Sequence, residues 1–257
     1  MDMSEELKAE LERLYDAVSI DAQEVTDIHQ LALLTSVNAS RDGYGPISIT
    51  PALLDGEEIT LVTLGGTQMV EGQATGLQES QLASFGQPND YLYALTERFK
   101  DGTIPAGKPV LLTGISLGGM IAQQLLGSEE VLASHRFKAI ITFGSPITLP
   151  LDRKGVKVIR FADSNDKVPT LGEIPLNSGL VKVPGLDKEQ LQARIAELHE
   201  SERIMRTSKY TGMVETHALS YIEDPCWEGM DFMGDPDCTH KLELTATMQF
   251  YPAPKSR

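Results

Sequence analysis

Residues 114–118 (GISLG) place one serine between two glycines at the spacing Gly-x-Ser-x-Gly. In a nucleophile elbow, this pattern forms a sharp turn between a strand and a helix, and the turn lifts the serine hydroxyl above the edge of a sheet. Glycine is needed at 114 and 118 because a Cβ atom there would keep the helix away from the strand. A serine hydroxyl attacks a carbonyl once a base takes its proton, so the pattern predicts acyl-transfer chemistry with Ser116 as nucleophile.

Such a serine needs an imidazole as base and a carboxylate that orients the imidazole. Asp163 and Asp166 both follow the apolar segment VKVIRF, where a parallel strand would end at the sheet edge that gathers α/β active sites. Of the five histidines, His217 and His240 lie downstream of a helical pattern at 187–207. The residues alone leave two carboxylates and two imidazoles open.

Short apolar strands and helical patterns alternate around these residues. Residues 109–113, 138–143 and 156–161 predict buried strands, and apolar residues recur at helical spacing before the first strand and after Ser116. This alternation implies right-handed crossovers. We therefore expect an α/β fold with a mostly parallel central sheet flanked by helices.

Further elements are predicted on either side of this core. Leucines at helical spacing among Glu and Lys predict an amphipathic helix over residues 1–18. Residues 46–53 and 58–64 predict two antiparallel strands, and the dipeptide Asp55-Gly56 between them suits a hairpin turn with positive φ.

The remaining segments complete a single expected domain over residues 1–257. Residues 68–88 are rich in Gln, Gly, Ser and Glu, which favours an exposed loop. Residues 187–207 predict a helix with Asp187 as its N-cap. The segment near residues 170–212 is a possible cap.

Composition excludes several classes of function. The chain has 37 acidic and 22 basic residues and a formal net charge of −15, a field that repels nucleic acid and anionic lipid headgroups. It contains no apolar segment of about 18 residues, and its acidic start differs from a signal peptide. We therefore expect a cytoplasmic protein without nucleic-acid partners or stable membrane insertion, with a non-classical export route as the alternative.

The two cysteines, Cys226 and Cys238, are too few for a disulfide framework. Two free thiols are expected, with a single disulfide as the alternative. Together with His240 they offer one close pair of metal ligands, whereas a structural zinc site usually has two. We therefore expect no metal.

Five short blocks resemble those of the class 3 (fungal-type) triacylglycerol lipase family, which belongs to the α/β-hydrolase superfamily, and they occur in the family's order. The blocks are residues 59–67 (ITLVTLGGT), 112–120 (LTGISLGGM), 142–146 (TFGSP), 165–169 (NDKVP) and 217–221 (HALSY). The resemblance implies an α/β-hydrolase fold and extends over about residues 46 to 222.

The resemblance also assigns roles to single residues. It implies Ser116 as nucleophile, Asp166 as acid and His217 as base, in the chain order that α/β-hydrolases use. The amide of Leu117, directly after the nucleophile, is the first expected donor of an oxyanion hole. By resemblance the second donor is Thr67, whose hydroxyl could contribute.

The activity implied is hydrolysis of lipid or short-chain acyl esters through an acyl-serine intermediate, without a metal or cofactor. An acyltransferase or a thioesterase would use the same triad, and a non-catalytic module that binds an acyl ligand or a protein is a further alternative. The chain departs from the family at Gly65, where arginine is usual. It also departs at residues 68–88, which lack the amphipathic, often Trp-containing lid.

Overall fold

A central sheet of nine strands runs through the part of the chain described by the computed structural model, residues 3–37, 45–148, 155–171, 185–201 and 203–256. The strands are β1 (Gln23–Val25), β2 (Ile47–Leu54), β3 (Glu57–Leu64), β4 (Val110–Ile115), β5 (Phe137–Phe143), β6 (Val158–Asp163), β7 (Arg203–Arg206), β8 (Leu242–Leu244) and β9 (Gln249–Tyr251). The order is β1-β8-β2-β3-β4-β5-β6-β7, and β9 pairs with β2.

The five strands from β3 to β7 are parallel, and the remaining pairs are antiparallel. Parallel strands are covered on both faces and therefore read as continuous apolar segments. All six residues of β4 are buried. The mostly parallel sheet expected from the sequence is confirmed.

Helices cover both faces of the sheet. They are α1 (Glu5–Asp16), α2 (Ile28–Val37), α3 (Leu77–Ser84), α4 (Asp90–Lys100), α5 (Leu117–Gln124), α6 (Glu129–Ser134), α7 (Lys188–Ser201) and α8 (Met213–Glu223). Apolar residues of α1, α2 and α8 pack in one core cluster, and those of α4, α5 and α6 pack in another. Each fully buried Leu or Ile contributes about 1.5–3 kcal/mol relative to exposure.

Local signals explain several of these elements. Asp55 and Gly56 have φ of 51° and 83°, so they form the tight turn between β2 and β3 that the sequence predicts. The helix predicted at the N-terminus is also confirmed, because Ser4 accepts a hydrogen bond from the Leu7 amide and caps α1.

Two expectations about surface segments are wrong in part. Residues 77–84 form α3 within the segment predicted as an exposed loop, because Glu79 and Ala83 are buried although no side chain caps the helix. The helix predicted over 187–207 ends at Ser201, and Arg203–Arg206 joins the sheet as β7 beside β6. Tertiary packing overrides a weak local pattern in both cases.

Residues 172–184, within the segment expected to form a cap, lie outside the described residues. Both cysteines are free thiols: Cys226 is half-buried and Cys238 is exposed. No helix among the described residues combines the length and the apolar character needed to cross a bilayer.

Candidate active site

Ser116 lies in a strained turn between β4 and α5. Its φ of 52° and ψ of −119° are unusual for a residue with a side chain, and Asp55 is the only other non-glycine residue with positive φ in the described ranges. The turn needs its glycines because a Cβ at Gly118 would lie 2.2 Å from the Leu64 carbonyl oxygen, and one at Gly114 would lie 2.4 Å from that of Gly118. The local structure is that of a nucleophile elbow.

Neighbouring strand β5 holds this turn in place. The Ser116 amide donates to the Phe143 carbonyl at 2.9 Å, and Ser145 Oγ donates to the Ser116 carbonyl at 2.8 Å. The Ser145 hydroxyl is engaged in this backbone contact. The backbone of the serine is therefore fixed from both sides.

His217 connects the serine to a carboxylate. Its Nε2 lies 2.9 Å from Ser116 Oγ, and its Nδ1 lies 2.8 Å from Asp166 Oδ2. A carboxylate at Nδ1 favours the tautomer with hydrogen on that nitrogen, which leaves the lone pair of Nε2 for the serine hydroxyl. The structure thus brings together the three side chains that the sequence singled out.

The exposure of the side chains to solvent decreases from His217 to Asp166. The His217 side chain is 21% exposed, whereas that of Asp166 is fully buried. Asp166 Oδ1 accepts from the Val168 amide at 2.9 Å, and Oδ2 accepts from both His217 and the Tyr221 hydroxyl. A buried carboxylate needs hydrogen-bond donors, and these three donors fix the orientation of the Asp166 carboxylate.

Tyr221 lies directly behind the carboxylate. Its hydroxyl accepts from the Asp163 amide at 3.0 Å and donates to Asp166 Oδ2 at 2.8 Å. Full burial, followed by the neighbouring carboxylates, raises the pKa of Tyr221 well above its usual value, so the phenol keeps its donor proton. Gly144 has φ of 58° and leaves room for the ring, because a Cβ there would lie 2.7 Å from it.

Asp163, the competing carboxylate, is used elsewhere. It accepts from Ser220 Oγ, from the Asn165 amide at 2.9 Å and from the Ser208 amide at 3.3 Å. These contacts fold the loop that carries Asp166. The competing imidazole, His240, is hydrogen bonded to Asp231 instead of to a residue of this site.

The first of the expected oxyanion-hole donors lies where α5 begins. Leu117 is the first residue of α5, so its amide has no acceptor within the helix and is available to a ligand. Gly66 lies against Ser116, because a Cβ at Gly66 would lie 3.3 Å from Ser116 Cβ. Thr67 follows Gly66 and is exposed, and its hydroxyl is hydrogen bonded with Ser80 Oγ at 2.9 Å.

A buried tyrosine braces the turn that carries Gly65. The Tyr91 hydroxyl donates to the Pro46 carbonyl at 2.9 Å and to the Gly65 carbonyl at 3.1 Å. The family with the similar blocks usually has arginine at Gly65, and here a phenol from α4 holds the backbone of this position instead. Burial raises the pKa of Tyr91 well above its usual value.

Sequence reasoning did not single out Tyr221. His217 lies in α8, so Tyr221 is four residues further along the same helix face. The segment has no side-chain cap at Gly212, which removed the usual signal of a helix start. A helix predicted over residues 217–221 would have placed the side chains of His217 and Tyr221 on the same face.

Metal ligands are not gathered at this site in the described part of the chain. The one group of three or more metal-ligating side chains with converging atoms there comprises Asp235, Cys238 and His240. A comparison with known protein families and with curated proteins finds no match.

Proposed function

We propose that the protein is a serine hydrolase of the α/β-hydrolase fold, related to the class 3 lipases, that cleaves carboxylic esters of lipids or short-chain acids. The observation that carries this proposal is the continuous chain of contacts from Ser116 Oγ through His217 to Asp166, at 2.9 and 2.8 Å. Both distances are within the range for proton transfer along hydrogen bonds.

The reaction follows from these contacts. The hydroxyl proton of Ser116 moves to His217 Nε2 as Oγ bonds to the ester carbonyl carbon. The amide of Leu117 stabilises the resulting oxyanion, with a second donor proposed at Thr67. When the tetrahedral intermediate collapses, the ester C–O bond breaks and His217 gives its proton to the leaving alcohol. Water then attacks the acyl-serine with His217 as base, the bond between the acyl carbon and Oγ breaks, and His217 returns the proton to Ser116 as the acid is released.

The sheet topology supports the fold assignment. The oxyanion turn, the elbow, the segment at Ser145 and the acid loop follow four adjacent parallel strands, β3 to β6. Ligands of open α/β sheets bind at the carboxyl ends of such strands. The five blocks that resemble the lipase family all lie at this edge or, for His217, on the helix above it.

Exposed apolar side chains support an acyl group as the substrate. Met69 is 79% exposed and Val70 is 47% exposed directly after the oxyanion turn, and Leu171 is 48% exposed five residues after the acid. Exposed apolar residues close to a site are suited to bind an apolar chain. An ester with an apolar acyl group therefore fits better than a strongly charged substrate.

Turnover of a water-soluble p-nitrophenyl ester tests the proposal. We expect release of p-nitrophenol, and we expect Ser116→Ala to lower kcat at least roughly a thousandfold. Ser134→Ala, at the exposed serine that ends α6, is the matched control and keeps the activity. Adding an alcohol acceptor separates hydrolysis from acyl transfer: free acid as the main product supports a hydrolase, and ester as the main product contradicts it.

A further inference from the structure

The loop between α8 and β8 brings three different metal ligands together. Ligand atoms of Asp235, Cys238 and His240 lie within 4.8 Å of one another, and these side chains offer oxygen, sulfur and nitrogen. From the sequence, only one close ligand pair was available in this segment, because Asp235 was not recognised as its third member. We propose that this cluster is a binding site for a zinc-like divalent cation.

A buried carboxylate orients the histidine. Asp231, whose side chain is 3% exposed, accepts from His240 Nδ1 at 3.0 Å and from the His240 amide at 2.8 Å. A carboxylate at one ring nitrogen fixes the tautomer and leaves the lone pair of the other nitrogen for a metal. Metal-binding histidines commonly have such a partner. His240 is therefore held in the form that binds a cation.

The same carboxylate shapes the loop. Asp231 also accepts from the amides of Met233, at 2.9 Å, and Asp235, at 3.2 Å. Asp235 in turn accepts from the Asp237 amide at 3.0 Å. The ligands thus belong to a folded loop with an internal anchor, and their proximity does not depend on long surface side chains.

The β2–β3 turn carries a further carboxylate, Asp55, near His240 but outside the three-ligand cluster. Asp55 Oδ2 lies 3.9 Å from His240 Nε2, and Asp55 Oδ1 accepts from the Lys241 amide at 2.8 Å. Asp55 is distant in sequence from the loop, so a cation shared by both would connect the C-terminal segment to the hairpin. This connection lies beyond the amino end of β3, at the edge opposite Ser116.

The ligand set favours zinc over calcium or magnesium. Thiolate and imidazole suit zinc, whereas the two hard cations prefer oxygen. Zinc bonds of about 2.0 Å to nitrogen and 2.3 Å to sulfur place the ligand atoms of a tetrahedral site roughly 3.3–3.7 Å apart. The cluster therefore closes by about 1 Å on binding, which the exposed Cys238 permits. Binding converts the thiol to a thiolate and releases its proton to solvent.

Cobalt and zinc titrations of the full chain, purified under reducing conditions and freed of metal, test the site. We expect one equivalent of Co²⁺ to produce a thiolate-to-cobalt charge-transfer band. We expect zinc, at about a hundredfold above its Kd, to raise Tm by about 5 °C or more. Zinc is also expected to protect Cys238 from alkylation.

Two variants and one matched control make the test specific. Cys238→Ser removes the cobalt band and the zinc-dependent rise in Tm, and His240→Gln weakens zinc binding at least about tenfold. Cys226→Ser keeps both signals, because burial, with Asp224 nearby, raises the pKa of the Cys226 thiol to about 12 and Cys226 is outside the cluster. Absence of saturable binding, or binding that Cys238→Ser leaves unchanged, would overturn the proposal.

Discussion

Tyr221 donates its hydroxyl hydrogen to Asp166 Oδ2 at 2.8 Å, the same carboxylate oxygen that lies 2.8 Å from His217 Nδ1. Two donors on one oxygen hold the carboxylate in a single orientation, and the ring of Tyr221 is fully buried behind it. Tyr221 is therefore a positioning residue for the proposed triad, acting through Asp166. In the proposed mechanism Tyr221 orients Asp166 and takes no part in proton transfer or bond formation.

Replacing Tyr221 by Phe removes this donor and keeps the ring. We expect kcat to fall roughly tenfold, since a hydrogen bond to a charged group contributes about 1.5–3 kcal/mol. KM is expected to stay constant, because Tyr221 is placed behind Asp166 and away from the exposed apolar side chains. Steady-state kinetics on a soluble ester, with circular dichroism to confirm folding, measures this split. Equal losses in kcat and in folded fraction would show a structural role alone.

Asparagine substitutions at the two carboxylates separate their roles. Asp166→Asn is expected to lower kcat by about 10⁴, because an amide at this position no longer favours the reactive tautomer of His217. Asp163→Asn is expected to lower the free energy of unfolding by about 1–3 kcal/mol with little effect on kcat per folded molecule, because Asp163 holds backbone donors of the acid loop. Urea unfolding and kinetics of both variants are the measurement; the reverse pattern would assign the acid to Asp163.

Alanine at Gly118 tests the close approach of α5 to the sheet. The Cβ of an alanine at this position would lie 2.2 Å from the Leu64 carbonyl oxygen. That oxygen belongs to the backbone of β3, which cannot move away easily. We expect a loss of at least about 2 kcal/mol in the free energy of unfolding, together with a loss of activity. Gly107→Ala is the control, because no atom lies within 4 Å of its Cβ position. Similar stability of the two variants would contradict the tight elbow.

Stability is expected to fall at alkaline pH. The pKa values of Tyr91 and Tyr221 are raised well above the usual value by burial, so the folded protein keeps both protons while the unfolded chain loses them near pH 10. Fewer protons on the unfolded state mean that stability declines as pH rises, by up to about 1.4 kcal/mol per pH unit for each tyrosine. Urea unfolding between pH 9 and pH 11 measures the slope. Tyr91→Phe reduces it, and an unchanged slope would contradict the assignment.

Local signals predicted the parts of the site that depend on neighbouring residues in the chain. The elbow follows from the glycines around Ser116, and the hairpin follows from Asp55-Gly56. The choice between Asp163 and Asp166 was open from the residues alone, because both follow the apolar segment VKVIRF. Contacts with Ser220 and Tyr221, more than fifty residues away, decide how the two carboxylates are used. Such long-range partners are not visible in a local pattern.

Helix α3 and the metal-ligand cluster show the same limit. α3 forms where composition favours a loop, because Glu79 and Ala83 are buried by tertiary packing. The metal-ligand cluster was rejected on the spacing of Cys226, Cys238 and His240, whereas the structure replaces Cys226 by Asp235. Spacing along the chain does not reveal a third ligand that comes close to the others only when the loop folds.

Covalent labelling with a fluorophosphonate tests the central claim most directly. The phosphorus is attacked by an activated serine, so we expect a single adduct that peptide mass spectrometry maps to Ser116. The adduct is expected to be absent in Ser116→Ala and to form much more slowly in His217→Ala, because the base is lost. An unlabelled Ser116 in the folded wild-type protein, or equal labelling in His217→Ala, would contradict an activated nucleophile at this position.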